Sequence, residues 1–328
     1  MELKDKTIPN FLVDVRCFTF NQSKYITDTM NGFCMQLTNF PFICCIVDDA
    51  STDGEQEVID EYLKENFDFS DDSEAYEKET DYAFITYARH KTNRNCYFYV
   101  IYLKENHFSK KLDKNKYLSK FRSNCKYEAL CEGDDYWIAY NKLQLQVDFL
   151  EANPDYGLIR TDANVLNQKS GIVEKAVFEN HLFPNCSDSF VDYVVCPNWL
   201  ATCTWMMRMP YDDYRELPED CFNGDLALMI YVARRSKVKY LNNCTSVYRV
   251  LENSASHFNS HAKLLTFWRS QVNTRCFYAK YLSYSEKMYL LKNIVQSGRC
   301  LYITKRRFNV IGFLALFLDL IFRIFLVK

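Results

Sequence analysis

Apolar and polar positions alternate along the chain with two periods, one of strands and one of helices. Residues 11–20 (FLVDVRCFTF) are β-branched and aromatic and end at Asn21, which predicts a first strand. Tyr25, Ile26, Met30, Phe33 and Leu37 then recur at helical spacing, with Ser23 placed to cap the helix they define. Residues 42–47 (FICCIV) form a continuous apolar run, as in a parallel strand covered on both faces. The run breaks at 48–54 (DDASTDG), and 55–65 (EQEVIDEYLKE) predicts the next helix. Strand, helix, strand, acidic loop and helix make a βαβα unit, whose ligands bind beyond the carboxyl ends of the strands. Asp48 and Asp49 fall at such an end.

Residues 66–80 are acidic and predict a mobile loop. Two strands are predicted at 82–88 and 97–103, joined by 89–96 (RHKTNRNC). Arg89, Lys91 and Arg94 in that connector could meet a phosphate or an anionic acceptor, or could form a solvated hairpin tip. Asn106 follows the second strand, and a basic helical segment at 109–122 leads to a buried strand at 127–130. After 131–137 (CEGDDYW), an amphipathic helix starts at Lys142 and stops before Pro154. Residues 157–162 (GLIRTD) predict a strand, 166–178 a hairpin turn, and 238–241 and 246–250 two short strands. Gly224 and Asp225 open an apolar helix, 258–297 are helical in pattern, and the last residues are markedly apolar. No internal repeat is evident.

At 328 residues the chain can form one large domain or two smaller ones, and 48% hydrophobic residues suffice for a sizeable core. The 24 Tyr and 25 Phe fit core packing and would also suit a carbohydrate-facing surface. A net charge of −2 gives no reason to expect nucleic acid as a partner. The 14 cysteines include no C-x-x-C, and several lie in apolar runs. That pattern fits reduced core thiols in a cytoplasmic protein better than a disulfide scaffold or a zinc ribbon. The first ten residues contain no apolar signal region, which points the same way.

Glu132, Asp134 and Asp135 lie within four residues, where like charges repel. A cation that neutralises them would have oxygen ligands only, which suits a hard ion such as Mg²⁺ or Mn²⁺. On these residues alone a solvated acidic turn is an equal reading. His257 and His261 are four apart and could share a metal on a helix, but no third ligand is apparent, which favours a surface pair.

Taken together, FTFNQSKYI, FICCIVDDASTDG, EGDDYW followed by KLQLQVDFLE, the GD of FNGDLAL, and YRVLENSASH resemble the family-2 glycosyltransferases. The likeness covers residues 11–257 and implies an α/β GT-A fold: a Rossmann-like mixed sheet flanked by helices, with a C-terminal helical extension. It implies a glycosyltransferase domain over 1–257, with a nucleotide-sugar half at 1–137 and an acceptor half at 138–257. A helical extension would occupy 258–304 and an apolar, basic-flanked tail 305–328. By the same resemblance Thr19, Phe20 and Asn21 line the nucleotide pocket. Asp49 holds the base, usually uracil, and Asp48 and Asp53 support its loop. Asn106 belongs to the donor site, Asp134 faces the donor ribose or sugar, and Asp135 is the metal ligand. Asp225 is the catalytic base, and Trp137 and Trp205 border the acceptor. Two departures stand out. Val250 and Leu251 follow Tyr248-Arg249 where members often carry a histidine, and Ala139-Tyr140-Asn141 replaces a common proline.

The activity implied is a metal-dependent, inverting transfer of sugar from a nucleotide diphosphate sugar, a UDP-sugar by preference. The acceptor would be a hydroxyl of a glycan or lipid-linked molecule in cell-surface polysaccharide synthesis. Nucleotidyl transfer is the alternative enzyme class, but FTFNQSKYI lacks its glycine-rich phosphate loop. A non-catalytic sugar-nucleotide-binding protein is the third reading, against which the retention of Asp134, Asp135 and Asp225 argues.

Residues 310–327 could span about 27 Å as a helix. Asp319 and Arg323, four apart, put two charges on one face of that helix, and Gly312 and Ala315 extend the face. Three dispositions follow: a helix lying in a membrane interface, packing on protein, or spanning. Lys305, Arg306 and Arg307 would meet anionic headgroups. The expectation is peripheral contact with the inner face of the cytoplasmic membrane.

Overall fold

The computed structural model describes residues 9–113, 117, 121–181, 188–196, 200–209, 224–252, 261–303 and 320–326. By internal contacts the chain divides into two compact units. The first comprises Met1–His181, Ala201–Asp212 and Tyr240–Leu251; the second comprises Leu182–Leu200, Asp213–Lys239 and Glu252–Lys328.

In the first unit, strand β1 (Val13–Thr19) buries Val13, Val15 and Cys17 on one face. Helix α1 (Ile26–Cys34) turns Ile26, Met30 and Phe33 inward, whereas Leu37 lies beyond its end and is exposed. Ser23 does not cap it: the residue before the helix is Tyr25, and the Ser23 amide donates to Asp53 instead. Strand β2 (Phe42–Asp48) is buried at every position, as its unbroken apolar run requires. Helix α2 (Glu55–Asn66) follows.

The segment 66–80 differs from the loop its acidity predicts. Phe67–Asp68 (β3) and Tyr76–Glu79 (β4) both pair antiparallel with β5 (Ala83–His90). Aromatic anchoring outweighs the charge: Phe67 packs 4.4 Å from Phe98, and Tyr76 stacks 5.1 Å from Tyr87, centroid to centroid. Strand β6 (Cys96–Leu103) returns antiparallel to β5 and runs parallel to β2. Two of the three cations of the β5–β6 connector, Arg89 and Lys91, bond to protein. Lys91 Nζ donates to the Lys64 and Glu65 carbonyls at the end of α2, and Arg89 Nε donates to the Arg94 carbonyl. Within 109–122 the described residues 109–111 form turns, with Lys111 left-handed (φ 57°), while 117 and 121–122 are helical as expected.

Strands β7 (Tyr127–Leu130) and β8 (Tyr136–Trp137) flank the acidic motif, and helix α3 (Lys142–Ala152) follows. Strand β9 (Tyr156–Asn167) pairs with β10 (Val173–Glu174) across the predicted hairpin turn and is followed by the short helix α4 (Val177–His181). Strand β11 is Trp205–Arg208. Residues 237–250 form one strand, β12 (Lys237–Val250), rather than two, because Asn242 and Asn243 run through it as exposed strand residues and not as a turn. The sheet has the order β3-β5-β6-β2-β1-β7-β11-β9-β12-β8, with β4 on β5 and β10 on β9. Strands β6, β2, β1 and β7 are parallel, and β11 is antiparallel to both β7 and β9.

The second unit contains helices α5 (Phe190–Val195), α6 (Gly224–Arg235), α7 (His261–Tyr278) and α8 (Tyr284–Ile303). Arg275 Nη1 donates to the carbonyls of Tyr193, Val194 and Cys196, closing the end of α5 from α7. The last described turn, Phe322–Leu326, packs here: Leu320 and Ile324 are buried, and Arg323 donates to Asn273 Oδ1 on α7 at 2.9 Å. The described part of the tail thus takes the packed disposition. Among the described residues no helix is long and apolar enough to cross a membrane. The described cysteines are free and mostly buried.

Candidate active site

The four parallel strands lie in the order β6-β2-β1-β7, so successive connections leave β1 in opposite directions. A crevice opens beyond the carboxyl ends of the strands at such a reversal. Three loops meet there: 20–25 after β1, 49–54 after β2, and 131–135 after β7.

Glu55, at the start of α2, knots the first two loops together. It is fully buried. Its carboxylate accepts from the Thr19 hydroxyl, from the Gln22 amide at 2.8 Å and from Ser51 Oγ at 2.9 Å. Burial raises its carboxyl above the ordinary value, while these donors oppose the shift. Asn21 adopts a left-handed conformation (φ 54°), accepts from the Thr52 amide through Oδ1 at 2.8 Å and donates its own amide to Ser51 Oγ at 2.8 Å. Asp53 takes the Ser23 amide at 3.0 Å. Ala50 is also left-handed (φ 62°), unusual for a residue with a Cβ, and marks the tight turn between Asp49 and Ser51.

Asp49 is 1% exposed and gathers the loop after β6. Its Oδ1 accepts from the His107 amide at 2.7 Å and its Oδ2 from the Phe108 amide at 3.1 Å. Asn106 Nδ2 donates to the Asp49 carbonyl at 3.0 Å, and the Asp49 amide donates to the Thr19 carbonyl at 3.0 Å. Asp48 is buried, and its Oδ2 accepts from the Ser51 amide and from Gln56. Phe20, in the loop after β1, is 44% exposed. Thr19, Asn21, Asp49, Asp53 and Asn106 are therefore linked into one group, and Phe20 lies between Thr19 and Asn21 in the chain.

The acidic motif is pressed against the same group. The Gly133 amide donates to the Phe18 carbonyl at 3.0 Å, extending the β1–β7 ladder past its end. Thr29 of α1 donates to the carbonyls of Gly133 and Asp135. Glu132 Oε2 accepts from Thr202 Oγ1 at 2.7 Å. Asp135 is 2% exposed, and its Oδ1 accepts from the Arg249 amide at 2.8 Å. Burial and the neighbouring charge of Asp134 push the Asp135 carboxyl well above its ordinary value. Burial and the charge of Glu132 raise the Asp134 carboxyl to about 6, against the pull of Arg249. Clustered carboxyls held above their normal range are what a hard cation with oxygen ligands relieves, so the donor set fits Mg²⁺ or Mn²⁺. Among the described residues no three such side chains stand in ready ligand geometry.

Asp225 lies in the first turn of α6, in the second unit, where an apolar helix face buries Leu226, Ala227, Met229 and Ile230 behind it. The two tryptophans are core residues: Trp137 is 2% exposed with Nε1 donating to the Cys203 carbonyl, and Trp205 is 0% exposed. Neither ring presents a face to an acceptor in this conformation. His257 and the side chain of His261 lie outside the described residues. Sequence reasoning gave no site role to Glu55, Gln22, Thr202 or Arg249. Glu55 reads as an ordinary first-turn acid and Gln22 as a polar loop residue, while Thr202 and Arg249 reach the acidic motif only through strand order.

The sequence matches the family described as Glycosyl transferase family 2 over residues 17–215. A large mixed sheet flanked by helices is the framework of glycosyltransferases of the GT-A type, and the chain belongs to glycosyl transferase family 2. Uncharacterised proteins Rv1520 of Mycobacterium tuberculosis and Mb1547 of Mycobacterium bovis are each 25% identical to it over 256 residues, 77% of this chain. The match spans 62% of the length of these curated relatives. Among solved structures, S. aureus TarS 1-349 in complex with UDP-GlcNAc has a TM-score of 0.60 at 16% identity, covering 95% of this chain and 81% of that one. The mannosyltransferase PcManGT of Pyrobaculum calidifontis, in complex with GDP-Man and Mn²⁺, has a TM-score of 0.53 at 13% identity, covering 96% and 81%.

Proposed function

We propose that the chain is a metal-dependent, inverting glycosyltransferase. It moves a sugar from a nucleoside diphosphate donor, a UDP-sugar by preference, to a hydroxyl of a glycan or lipid-linked acceptor in cell-surface polysaccharide synthesis. The observation that carries this reading is the meeting of three loops at the strand-order reversal, with raised carboxyls at Asp134 and Asp135 beside the Thr19–Asp49 group. The ligands named for TarS and PcManGT, a UDP-sugar and GDP-Man with Mn²⁺, agree with it. Attachment at the inner face of a membrane through the basic-flanked stretch 305–319 belongs to the same proposal.

In this reading Thr19, Phe20, Asn21, Asp49, Asp53 and Asn106 hold the nucleoside, and Asp134 orients the ribose or sugar. Asp135 would hold the metal, with Asp134 and Glu132 adding negative charge. The ion, Mn²⁺ or Mg²⁺, would supply Lewis-acid neutralisation of the leaving diphosphate. Asp225 accepts the proton of the attacking hydroxyl. The acceptor oxygen bonds to the anomeric carbon as its bond to the diphosphate oxygen breaks, and attack from the far side inverts that centre. Holding donor and acceptor in line supplies much of the rate enhancement.

The test is a release assay over a panel of nucleotide sugars, with and without Mn²⁺. Metal-dependent release of one nucleoside diphosphate is the expected result. Absence of release and of binding for every donor would leave a fold without this activity.

A further inference from the structure

Arg249, near the end of β12, is 3% exposed. Its amide is tied to Asp135 Oδ1, which fixes residue 249 directly against the acidic motif. The guanidinium lies between two aromatic rings, 4.7 Å from the centroid of Tyr25 and 4.9 Å from that of Tyr136. Tyr25 precedes α1 and Tyr136 follows Asp135, so the cation stands between the first loop and the acidic loop.

A guanidinium carries five N–H donors and no acceptor. Here Nη2 donates to Asp28 Oδ2 at 2.8 Å, and Nε is buried with no acceptor at all. The side chain of Asp28 is 55% exposed, so water competes for that carboxylate and the ion pair holds the arginine loosely. A buried cation with unused donors is costly unless an anion is meant to arrive. Two aromatic faces keep the planar fork in one orientation, the state from which it binds phosphate oxygens two at a time. The carboxylates of the acidic motif would repel a diphosphate, and the Arg249 charge already acts on Asp134 from this position.

We propose that Arg249 is a diphosphate-binding cation of the donor site, and that Asp28 holds its guanidinium until the diphosphate displaces it. This rests on the reading that the chain binds a nucleoside diphosphate sugar. Asp28 is then a competitor for the arginine and not a ligand, so removing its charge strengthens donor binding.

Calorimetry on the full chain with Mg²⁺, using uridine, UMP and UDP and the guanosine series, separates the contributions. The wild type is expected to bind the diphosphate about tenfold or more tighter than the nucleoside. Arg249→Met is expected to lose most of that increment while keeping nucleoside affinity, and Arg249→Lys to recover part of it. Asp28→Asn, a change at an exposed position, is expected to tighten diphosphate binding by about two- to fivefold and leave the nucleoside unchanged. If the wild type binds neither series, the donor reading itself fails. If the wild type binds the diphosphate and Arg249→Met keeps the full increment, Arg249 is not its ligand. Should Arg249→Met fail to fold, unchanged or weaker diphosphate binding by Asp28→Asn overturns the proposal on its own.

Discussion

A Cβ on Gly133 would stand 2.2 Å from the Thr19 hydroxyl oxygen and 2.6 Å from Gln22 Oε1. Thr19 is itself held by Glu55, so the hydroxyl has little room to retreat. The glycine of the acidic motif is required by space: the acidic loop and the loop after β1 close on each other where a methyl group would sit. Gly133→Ala is expected to destabilise the protein by about 1–3 kcal/mol, as overpacking does, and to weaken nucleotide binding by prising the two loops apart. Gly224, where an added Cβ would meet nothing among the described residues, serves as the control. Urea denaturation with matched calorimetry checks this; a Gly133→Ala protein with the wild-type midpoint and affinity would contradict the packing argument.

The pH dependence of stability follows from two buried acids. Asp14, the second residue of β1, is fully buried beside the Cys45 thiol. Burial and the charge of Glu128 raise its carboxyl to about 7, and that of Asp134 stands at about 6. An acid whose value is raised on folding binds its proton more tightly in the native state. Its contribution is whole below the ordinary value near 4 and is lost as pH rises through the folded value. Without divalent metal, these groups make stability fall between about pH 4 and pH 7. Asn at position 14 imitates the protonated acid, so Asp14→Asn should lose less stability over that window, by about 1 kcal/mol or more. Urea midpoints at several pH values measure it, and identical slopes for the two proteins would exclude Asp14 as the source.

The strands at β1, β2 and β6, the helix α6 and the acidic loops at 48–54 and 131–135 were legible because each carries a local signal. FICCIV reads as a doubly covered strand, and DDASTDG stops it abruptly. What was not legible depends on partners far away in the chain. Phe67 and Tyr76 look like residues of an acidic loop until Phe98 and Tyr87 are set beside them. Asn242 and Asn243 spell a turn, yet the pairing of β12 with its neighbours carries the strand through them. Trp137 sits beside the acids in sequence but points into the core, because the Cys203 carbonyl takes its N–H there. The contacts of Glu55 with Thr19 and Gln22, and of Arg249 with Asp135, were not legible for the same reason: these partners are 33 or more positions away in sequence.

Asp225 carries the chemical proposal for the second unit. Asp225→Asn keeps the shape of the side chain and removes its capacity to accept a proton. Donor binding should stay within about twofold of the wild type, and turnover should fall by about 10²–10⁴-fold. The pairing of intact affinity with lost turnover is the informative result, since a helix-terminal acid with a merely structural role would lower stability instead. Turnover close to that of the wild type would remove Asp225 from the mechanism.

The tail offers a choice between protein and membrane as the surface that covers it. Leu320 and Ile324 are 1% and 0% exposed, and Arg323 donates to Asn273 on α7, so the last described turn is part of the helical unit's packing. Phe325 adds a ring contact to Tyr284, the first residue of α8. A helix lying wholly in a membrane interface would leave these side chains to lipid, whereas here protein takes them. Ile324→Ala should therefore destabilise the protein in aqueous buffer by about 2–4 kcal/mol, the range for truncating a buried aliphatic side chain. The same change at exposed Phe322 should cost well under 1 kcal/mol. Fractionation decides the remainder: the full chain and a form ending at residue 303 are compared for pelleting with membranes, with and without high salt. If the full chain pellets and the short form does not, residues 304–319 reach the membrane while 320–326 stay on protein. If both remain in the supernatant and Ile324→Ala is destabilised, packing alone accounts for the apolar tail, and the peripheral contact expected from Lys305–Arg307 is refuted.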